Sequence, residues 1–291
     1  MTAQNRPLSL ADAMLAAAAL LAGAGWLFSI QAIREIPPLI FIGSRFLVAG
    51  IFVLPFADDP LAALRRSSQA VWLLAGGVML GASMMLWIVG LKLTSNPGVA
   101  AFISAMGNLM VPLVGAGLFG WPVGRRLRGA MVLAVIGLGL LFIGPAAAVD
   151  ASHAIFAVSA GLWAASIAFV KKVSTALTAT TVTAVQLIVA GLAILLVALP
   201  LEGGAAHWPT IAGLGWFAAS VLIATCLRFL LQFRGQQLVS AGRAGLFMCF
   251  EPVWTLLFSV VFLGLMPTPF QLLGCLVIFL AVFSMAARER I

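Results

Sequence analysis

Two stretches of the chain resemble each other: GLKLTSNPGVAAFISAMGNLMVPLVGAGLFGWPVGRRLRGAM (Gly90–Met131) and GQQLVSAGRAGLFMCFEPVWTLLFSVVFLGLMPTPFQLLGCL (Gly235–Leu276). They align without a gap when each residue is paired with the residue 145 positions later. Identical pairs include Gly90/Gly235, Leu93/Leu238, Ser95/Ser240, Phe102/Phe247, Pro122/Pro267, Leu127/Leu272 and Gly129/Gly274. Chance similarity between apolar helices is the alternative, but the loop positions also match. We therefore interpret the chain as a duplication.

The composition indicates a protein whose solvent is largely lipid. Hydrophobic residues make up 63% of the 291 residues and charged residues 8%, against about 25% charged in an average soluble domain. Apolar runs occupy 11–30, 37–57, 70–90, 97–119, 127–146, 152–170, 180–200, 209–232, 243–263 and 268–287. Since a transmembrane helix needs about 20 apolar residues, ten spans leave only short loops and no separate soluble domain.

The basic residues predict the orientation, because cytoplasmic loops of membrane proteins are enriched in Lys and Arg. With the N-terminus inside, the outer loops carry only Arg34 and Lys92, and Arg45 and Arg228 lie within spans. The inner segments carry Arg6, Arg65, Arg66, Arg125, Arg126, Arg128, Lys171, Lys172, Arg234, Arg243, Arg288 and Arg290. This bias accounts for the net charge of +8 without nucleic acid, and it predicts a multi-pass protein of a bacterial-type inner (plasma) membrane with both termini cytoplasmic.

The predicted fold is an all-α integral membrane protein of ten transmembrane helices arranged as two inverted five-helix repeats, residues 1–146 and 147–291. Five is an odd number, so the second repeat enters the membrane in the opposite direction to the first. Many secondary transporters use inverted repeats to expose a central site alternately to the two sides. A secondary carrier with a substrate site near the midplane, between the repeats, is therefore the favoured function.

Several short motifs resemble those of one transporter family. They are Pro37-Pro38 followed by Ser44-Arg45-Phe46, Gly90–Ser95 with its partner Gln237–Ala241, and Phe250-Glu251-Pro252-Val253. On these residues the chain resembles the EamA-type members of the drug/metabolite transporter superfamily, and within them it is most similar to the YddG-type amino-acid exporters. Gly120-Trp121 and Gly264-Leu265 depart from the Gly-Glu usual in the family, and Arg228 stands where an aromatic residue is frequent.

The resemblance implies export of aromatic or other neutral amino acids, with other metabolites or drugs as the alternative cargo. We expect a small-molecule substrate and the lipid bilayer as partners, no nucleic acid, and a chain that acts as a monomer. A facilitator and a proton antiporter are both compatible with the sequence.

Three charged residues lie at membrane depth, where a charge needs a partner or a function. Glu251 and Arg228 lie at similar depths in the ninth and eighth spans, so we expect them to form an ion pair. The pair either holds the two helices together or acts as a gate or proton-sensitive site. Arg45, in the second span, either snorkels outward or bonds backbone carbonyls, and a structural role is favoured.

Uncharged polar and aromatic residues predict the lining of a substrate cavity, since ligand sites are mostly apolar with a few hydrogen-bonding groups. The alternative for the tryptophans is a belt at the membrane interface. The candidates are Ser83, Met84, Trp87, Ser104, Asn108, Trp163, Ser166, Gln186 and Trp254. Pro112 and Pro252 interrupt the fourth and ninth spans and are interpreted as hinges or fixed kinks.

Other signals carry less weight. Gly115–Gly120 fits G-x-G-x-x-G but ends a membrane helix, so no dinucleotide site is expected. The three cysteines lack motif spacing, so neither a cofactor nor a structural metal is expected. Gly77–Gly81 fits G-x-x-x-G and predicts close helix packing, within the chain or in a dimer. An intramembrane metalloenzyme using His153, His207, Asp150 and Glu202, and a non-transporting receptor, are the alternatives from other classes.

Overall fold

In the computed structural model of the protein, residues 9–58, 60, 65, 67–94, 97–141, 151–173, 177–205, 208–263 and 266–286 are described. All regular structure within these residues is helical. The helices are α1 (Leu10–Ala32), α2 (Pro38–Val53), α3 (Ser67–Leu93), α4 (Pro97–Phe119), α5 (Arg125–Leu141), α6 (Ala151–Val173), α7 (Ala179–Glu202), α8 (Ile211–Leu238), α9 in two parts (Ala241–Met248 and Glu251–Leu263) and α10 (Pro269–Ala286).

Seven helices in the described part of the chain are long and apolar enough to cross a membrane, namely α1, α2, α3, α6, α7, α8 and α9. The apolar segments Ile103–Phe119 of α4 and Pro269–Ser284 of α10 are shorter. Aliphatic side chains face outward along the helices, as at Leu196, which is 79% exposed. The structure is thus that of a multi-pass membrane protein, and crossing by all ten helices stays a prediction.

Hydroxyl side chains fix the starts of four helices. Ser9 caps α1 and forms a reciprocal capping box with Asp12, while Thr178, Thr210 and Ser240 accept hydrogen bonds from the first turns of α7, α8 and α9. Such caps satisfy backbone N–H groups that the helix itself cannot pair.

The helix boundaries lie close to the predicted apolar runs, with the largest difference at α8. This helix begins after the cap at Thr210 and continues to Leu238, beyond the predicted end at residue 232. Its last two turns contain arginine and glutamine residues, which a search for apolar runs excludes although they are good helix formers.

The pattern of helix contacts stays the same when each helix is exchanged for its counterpart in the other half of the chain. Helix α2 packs on its counterpart α7, and α5 packs on its counterpart α10. The contacts of α6 with α3 and α4 are matched by contacts of α1 with α8 and α9. This arrangement fits two five-helix repeats, while the predicted boundary between residues 146 and 147 lies outside the described residues.

Helices α2 and α7 run in opposite directions, as inversion requires. The Glu202 carboxylate, at the end of α7, accepts hydrogen bonds of 2.8 and 3.0 Å from the backbone N–H groups of Leu39 and Ile40, at the start of α2. The Thr181 hydroxyl, at the start of α7, donates to the carbonyl of Asp58, just beyond α2.

These and similar contacts define the two ends of the bundle. The Glu35 end holds Glu35, Glu202 and Thr210, whose backbone N–H and hydroxyl both donate to the Glu35 carboxylate. The Asp12 end holds Asp12 and Arg243, which form a salt bridge of 2.6 Å.

Small residues let α7 approach both α2 and α3. The glycines of the Gly77–Gly81 motif lie against α7, where a Cβ atom on Gly77 would come within 2.8 Å of the Val189 Cβ. The motif therefore packs within the chain. On the opposite face of α7, a Cβ atom on Gly191 would clash with the backbone nitrogen of Leu47.

We predict that Gly191→Ala destabilises the protein, because the added methyl group meets the backbone of α2, which cannot rotate away as a side chain can. The expected cost of such overpacking is about 1–3 kcal/mol, seen as a lower midpoint of thermal unfolding in detergent. Gly161→Ala is the matched control, since Gly161 is also inside a helix and a Cβ atom there would meet nothing within 4 Å. Equal midpoints for the two variants would contradict the close packing of α2 and α7.

Candidate functional site

A central cavity lies between the two halves of the chain. Helices α1, α2, α3 and α4 of the first half and α6, α8 and α9 of the second half contribute its walls. Its empty volume is about 820 Å³, including the space at its mouth. Water-sized spheres can occupy about 90 Å³ of this space, which is less than the roughly 300–1,000 Å³ typical of small-molecule sites.

The cavity occupies the half of the bundle toward the Glu35 end. Ser29 lies close to the end of α1, Ile42 close to the start of α2, and Trp87 close to the end of α3. The deeper lining residues include Asn108, which at 1.5 Å per residue lies roughly 16 Å from the start of α4. The cavity thus ends near the middle of the bundle.

Glu251 lies at the start of the second part of α9 and faces the cavity. Its carboxylate accepts a 2.9 Å hydrogen bond from the indole nitrogen of Trp26 on α1. Trp26 packs edge-on against Trp87, with ring centroids 4.8 Å apart and an interplanar angle of 80°. Trp26 was not predicted as a site residue, although it lies inside the first apolar run.

The expected ion pair between Arg228 and Glu251 is not formed. Both residues line the cavity, but among the described residues the only basic and acidic groups within 4.0 Å of each other are Arg243 and Asp12. The Trp26 indole lies beside Glu251 instead.

The Arg228 guanidinium is held only by aromatic contacts within the described part of the chain. Its central carbon lies 5.2 Å from the ring centroid of Trp163 and 4.7 Å from that of Phe229. Its Nε is buried and has no hydrogen-bond partner. Cation–π contacts partly offset the burial of this charge but provide no acceptor for its Nε–H group.

Arg45 has the opposite environment. It is 6% exposed, and its guanidinium donates to the Thr225 hydroxyl at 2.5 Å, the Ser29 hydroxyl at 2.9 Å and the Ala224 carbonyl at 3.1 Å. Thr225 and Ala224 belong to a π-helical segment of α8, Leu222–Leu227, whose wider turn changes the backbone hydrogen-bond pattern. Arg45 thus joins α1, α2 and α8, and of its two predicted environments the structure shows the bonded one.

Asn108 and Trp163 are joined across the cavity. The Trp163 indole nitrogen donates a 3.0 Å hydrogen bond to the Asn108 side-chain oxygen. Ser83 also lines the cavity, but its hydroxyl bonds to Ser159, and the hydroxyl of Ser159 donates back to the Ser83 carbonyl. The Ser104 hydroxyl is buried in the cavity wall and has no hydrogen-bond partner. Met84 and Trp87 complete the predicted lining.

Three predicted cavity residues lie elsewhere. Ser166 donates to the Gly76 carbonyl and accepts from the Gln186 amide, each at 2.8 Å, so both side chains join α3, α6 and α7. Trp254 packs beside Gly23 of α1, and its indole nitrogen is buried without a hydrogen-bond partner. Residues three or four apart share a helix face, but sequence alone does not show which neighbour that face meets.

The two proline residues behave differently. Helix α9 is interrupted at Cys249–Phe250, and Pro252, the second residue of the following part, also lines the cavity. Helix α4 continues through Pro112, which lines a separate cavity at the Asp12 end together with Trp121, Lys171 and Ser240. A small third cavity touches both Asn108 and Lys171, so Asn108 lies between the central cavity and the Asp12 end.

Several polar contacts join helices at the Asp12 end. Arg243 of α9 donates to both oxygens of Asp12 of α1, at 2.9 and 2.6 Å, and the Asp12 side chain is fully buried. Lys171 of α6 donates to the carbonyls of Gln236 and Val239 at the end of α8. The bidentate ion pair joins one half of the chain to the other, and it was not predicted from the sequence.

The alternative metal site is not assembled from the residues that the structure describes. Glu202 binds backbone N–H groups of α2, and His153 is buried on α6. Asp150 and His207 lie outside the described residues. No group of three or more potential ligands is found among the described side chains.

A multi-helix membrane protein with a cavity between two inverted halves is the architecture of a carrier. The sequence profile of the EamA-like transporter family matches residues 9–143 and again residues 151–287. The chain therefore belongs to the EamA-like transporter family. A solved crystal structure shares the fold, with a TM-score of 0.77 and 18% identity over 97% of this chain and 99% of that chain. No match is found among curated proteins.

We predict that Arg45→Gln destabilises the protein more than Arg228→Gln does. Both substitutions remove one positive charge from the same cavity, but only the first breaks three hydrogen bonds between helices. Because hydrogen bonds to charged groups contribute about 1.5–3 kcal/mol each, Arg45→Gln should lower the thermal midpoint by several degrees. Arg228→Gln should leave the midpoint unchanged or raise it. The reverse order of the two midpoints would show that Arg45 does not hold α1, α2 and α8 together.

Proposed function

We propose that the protein is a secondary carrier that exports small organic solutes by alternating access, with aromatic and other neutral amino acids as its substrates. It would act as a monomer in a bacterial-type inner membrane, with ten spans and both termini in the cytoplasm. The observation that carries the proposal is the central cavity, which both halves of the chain line and which ends near the middle of the bundle.

The ion pair between the two halves at the Asp12 end supports alternating access. The Asp12–Arg243 pair joins α1 of the first half to α9 of the second, and the cavity lies toward the opposite end. The basic residues of the Asp12 end, among them Lys171 and Arg243, make it the cytoplasmic end under the rule for orientation. The described conformation would then face outward, and the rocking of one repeat against the other would open the cytoplasmic side.

The chemistry of the cavity supports an amino acid as substrate. Its wall combines the Trp26–Trp87 pair with charged groups of both signs, Arg228 and Glu251. Flat apolar surfaces suit an aromatic side chain, and fixed charges suit the two ionised ends of an amino acid. Other metabolites or drugs remain the alternative cargo, and a substrate panel separates the two.

We predict flux of aromatic amino acids in proteoliposomes that contain the purified chain. Labelled phenylalanine, tryptophan, leucine and an uncharged aromatic drug are loaded, and efflux is measured with and without a pH gradient. Efflux of the amino acids above protein-free vesicles supports the proposal, and its acceleration by an opposed pH gradient would indicate a proton antiporter. Efflux of the drug alone would assign the cavity to other cargo, and no efflux of any solute would overturn the carrier function.

We also predict that Arg243→Gln opens the Asp12 end. The variant is made in a chain whose cysteines at 226, 249 and 275 are replaced by alanine, with one new cysteine at Ala244, a buried residue beside the small third cavity. A water-soluble maleimide should label this cysteine several-fold faster in nanodiscs when the ion pair is absent. A cysteine at Ser104, in the central cavity, should be labelled more slowly.

Arg234→Gln is the matched control, because Arg234 is exposed near the same end of α8 and forms no salt bridge within the described residues. It should leave both labelling rates unchanged. Equal labelling rates at position 244 with and without the Arg243→Gln substitution would mean that the ion pair does not hold this end closed.

A further inference from the structure

We propose that Arg228 and Glu251 form a two-point site for a zwitterion, in which Arg228 binds the carboxylate of the solute and Glu251 binds its ammonium group. This inference rests on the proposed transport function and assigns the parts of its substrate to individual side chains.

Two other arginines have hydrogen-bond partners for their guanidinium groups, and Arg228 differs from both. Arg45 donates three hydrogen bonds, and Arg243 forms a bidentate ion pair. Arg228, by contrast, has aromatic contacts, a buried Nε without a partner, and no hydrogen bond or ion pair to another residue that the structure describes. Leaving a charge unpaired at membrane depth is costly, so a bound anion would relieve a cost that the protein carries when empty.

The chemistry of Arg228 favours a carboxylate as that anion. A guanidinium presents a planar set of N–H donors that match the two oxygens of a carboxylate, whereas an ammonium group would not give this geometry. The Ser104 hydroxyl, buried in the same cavity and also without a partner, supplies a further donor or acceptor for a polar group of the solute.

Glu251 retains the capacity to bind a cation. The structure gives its side chain one hydrogen bond, from the neutral indole of Trp26, whereas an ionised carboxylate offers about four acceptor positions. The indole orients the carboxylate without neutralising its charge. A substrate ammonium group can therefore bind Glu251 while the bond from Trp26 is kept.

The charge balance of the cavity matches a zwitterion. Arg45, Arg228 and Glu251 are the charged residues of its lining, and Arg45 is satisfied by helices α1 and α8. One positive and one negative group remain, and they are not paired with each other. A solute with one carboxylate and one ammonium group satisfies both, and the edge-on Trp26–Trp87 pair offers an apolar wall for its side chain.

The test compares three probes that share a phenyl ring and differ only in their charged groups. L-phenylalanine has both charges, phenethylamine lacks the carboxylate, and 3-phenylpropionate lacks the ammonium group. Binding to the purified full-length protein in nanodiscs is measured by titration calorimetry, which needs no transport. Wild-type protein should bind phenylalanine at least tenfold more tightly than either of the other probes.

Each variant should lose one preference and keep the other. Arg228→Gln should bind phenylalanine and phenethylamine within about threefold of each other, because neither then gains from its carboxylate. Glu251→Gln should bind phenylalanine and 3-phenylpropionate within about threefold of each other, because neither then gains from an ammonium group. The amide oxygen of the new glutamine can still accept the hydrogen bond from Trp26. Arg234→Gln, an exposed arginine of the same helix, should keep both preferences.

The inference would be overturned if Arg228→Gln kept the preference for phenylalanine over phenethylamine, or if wild-type protein bound none of the probes. These failures are separable from failure of the proposed function. Selective binding without efflux from proteoliposomes would support the site and contradict the carrier function. Efflux that is unchanged by Arg228→Gln would support the carrier function and contradict the site.

Discussion

Lipid offers no hydrogen bonds, and this constraint governs the whole structure. Each backbone group within the membrane must be satisfied by the chain itself, so helices are the only regular structure in the described residues. The same constraint governs the side chains. Where α8 widens into the π-helical segment, Arg45 binds the Ala224 carbonyl and the Thr225 hydroxyl. The altered backbone of α8 is thus hydrogen-bonded by a charged side chain of α2.

The constraint also explains why the sequence predicts the helices well. A spanning helix has to be predominantly apolar, so the apolar runs mark α1 to α10 to within a few residues at most ends. The prediction is poorest where a helix continues into polar residues, as at the end of α8. The inverted order was predicted from the alignment of Gly90–Met131 with Gly235–Leu276, and the antiparallel packing of α2 and α7 agrees with it.

The site was predicted less completely, because sequence shows the depth of a residue but not the direction in which it faces. Ser104, Asn108 and Trp163 line the cavity. Ser166 and Gln186 have the same polarity and depth, yet they face each other between helices. Glu251 was assigned to Arg228 on depth alone, and its actual partner, Trp26, lies 225 residues away in the chain. No sequence pattern fixes a contact of that kind without the packing of α1 against α9.

The contrast between Arg45 and Arg228 suggests how a carrier can couple solute binding to movement. A ligand shifts a conformational equilibrium only through its different interaction with the two states. If Arg228 binds a carboxylate as proposed, closing the empty cavity would bury a guanidinium without a partner, and breaking or omitting the partner of a buried charge is strongly destabilising. Closing around a bound solute would bury a satisfied pair instead. Arg228 would therefore both select the solute and favour movement of the loaded carrier over the empty one. Arg45 already has its hydrogen-bond partners, and it holds together the helices whose packing gives the cavity its shape.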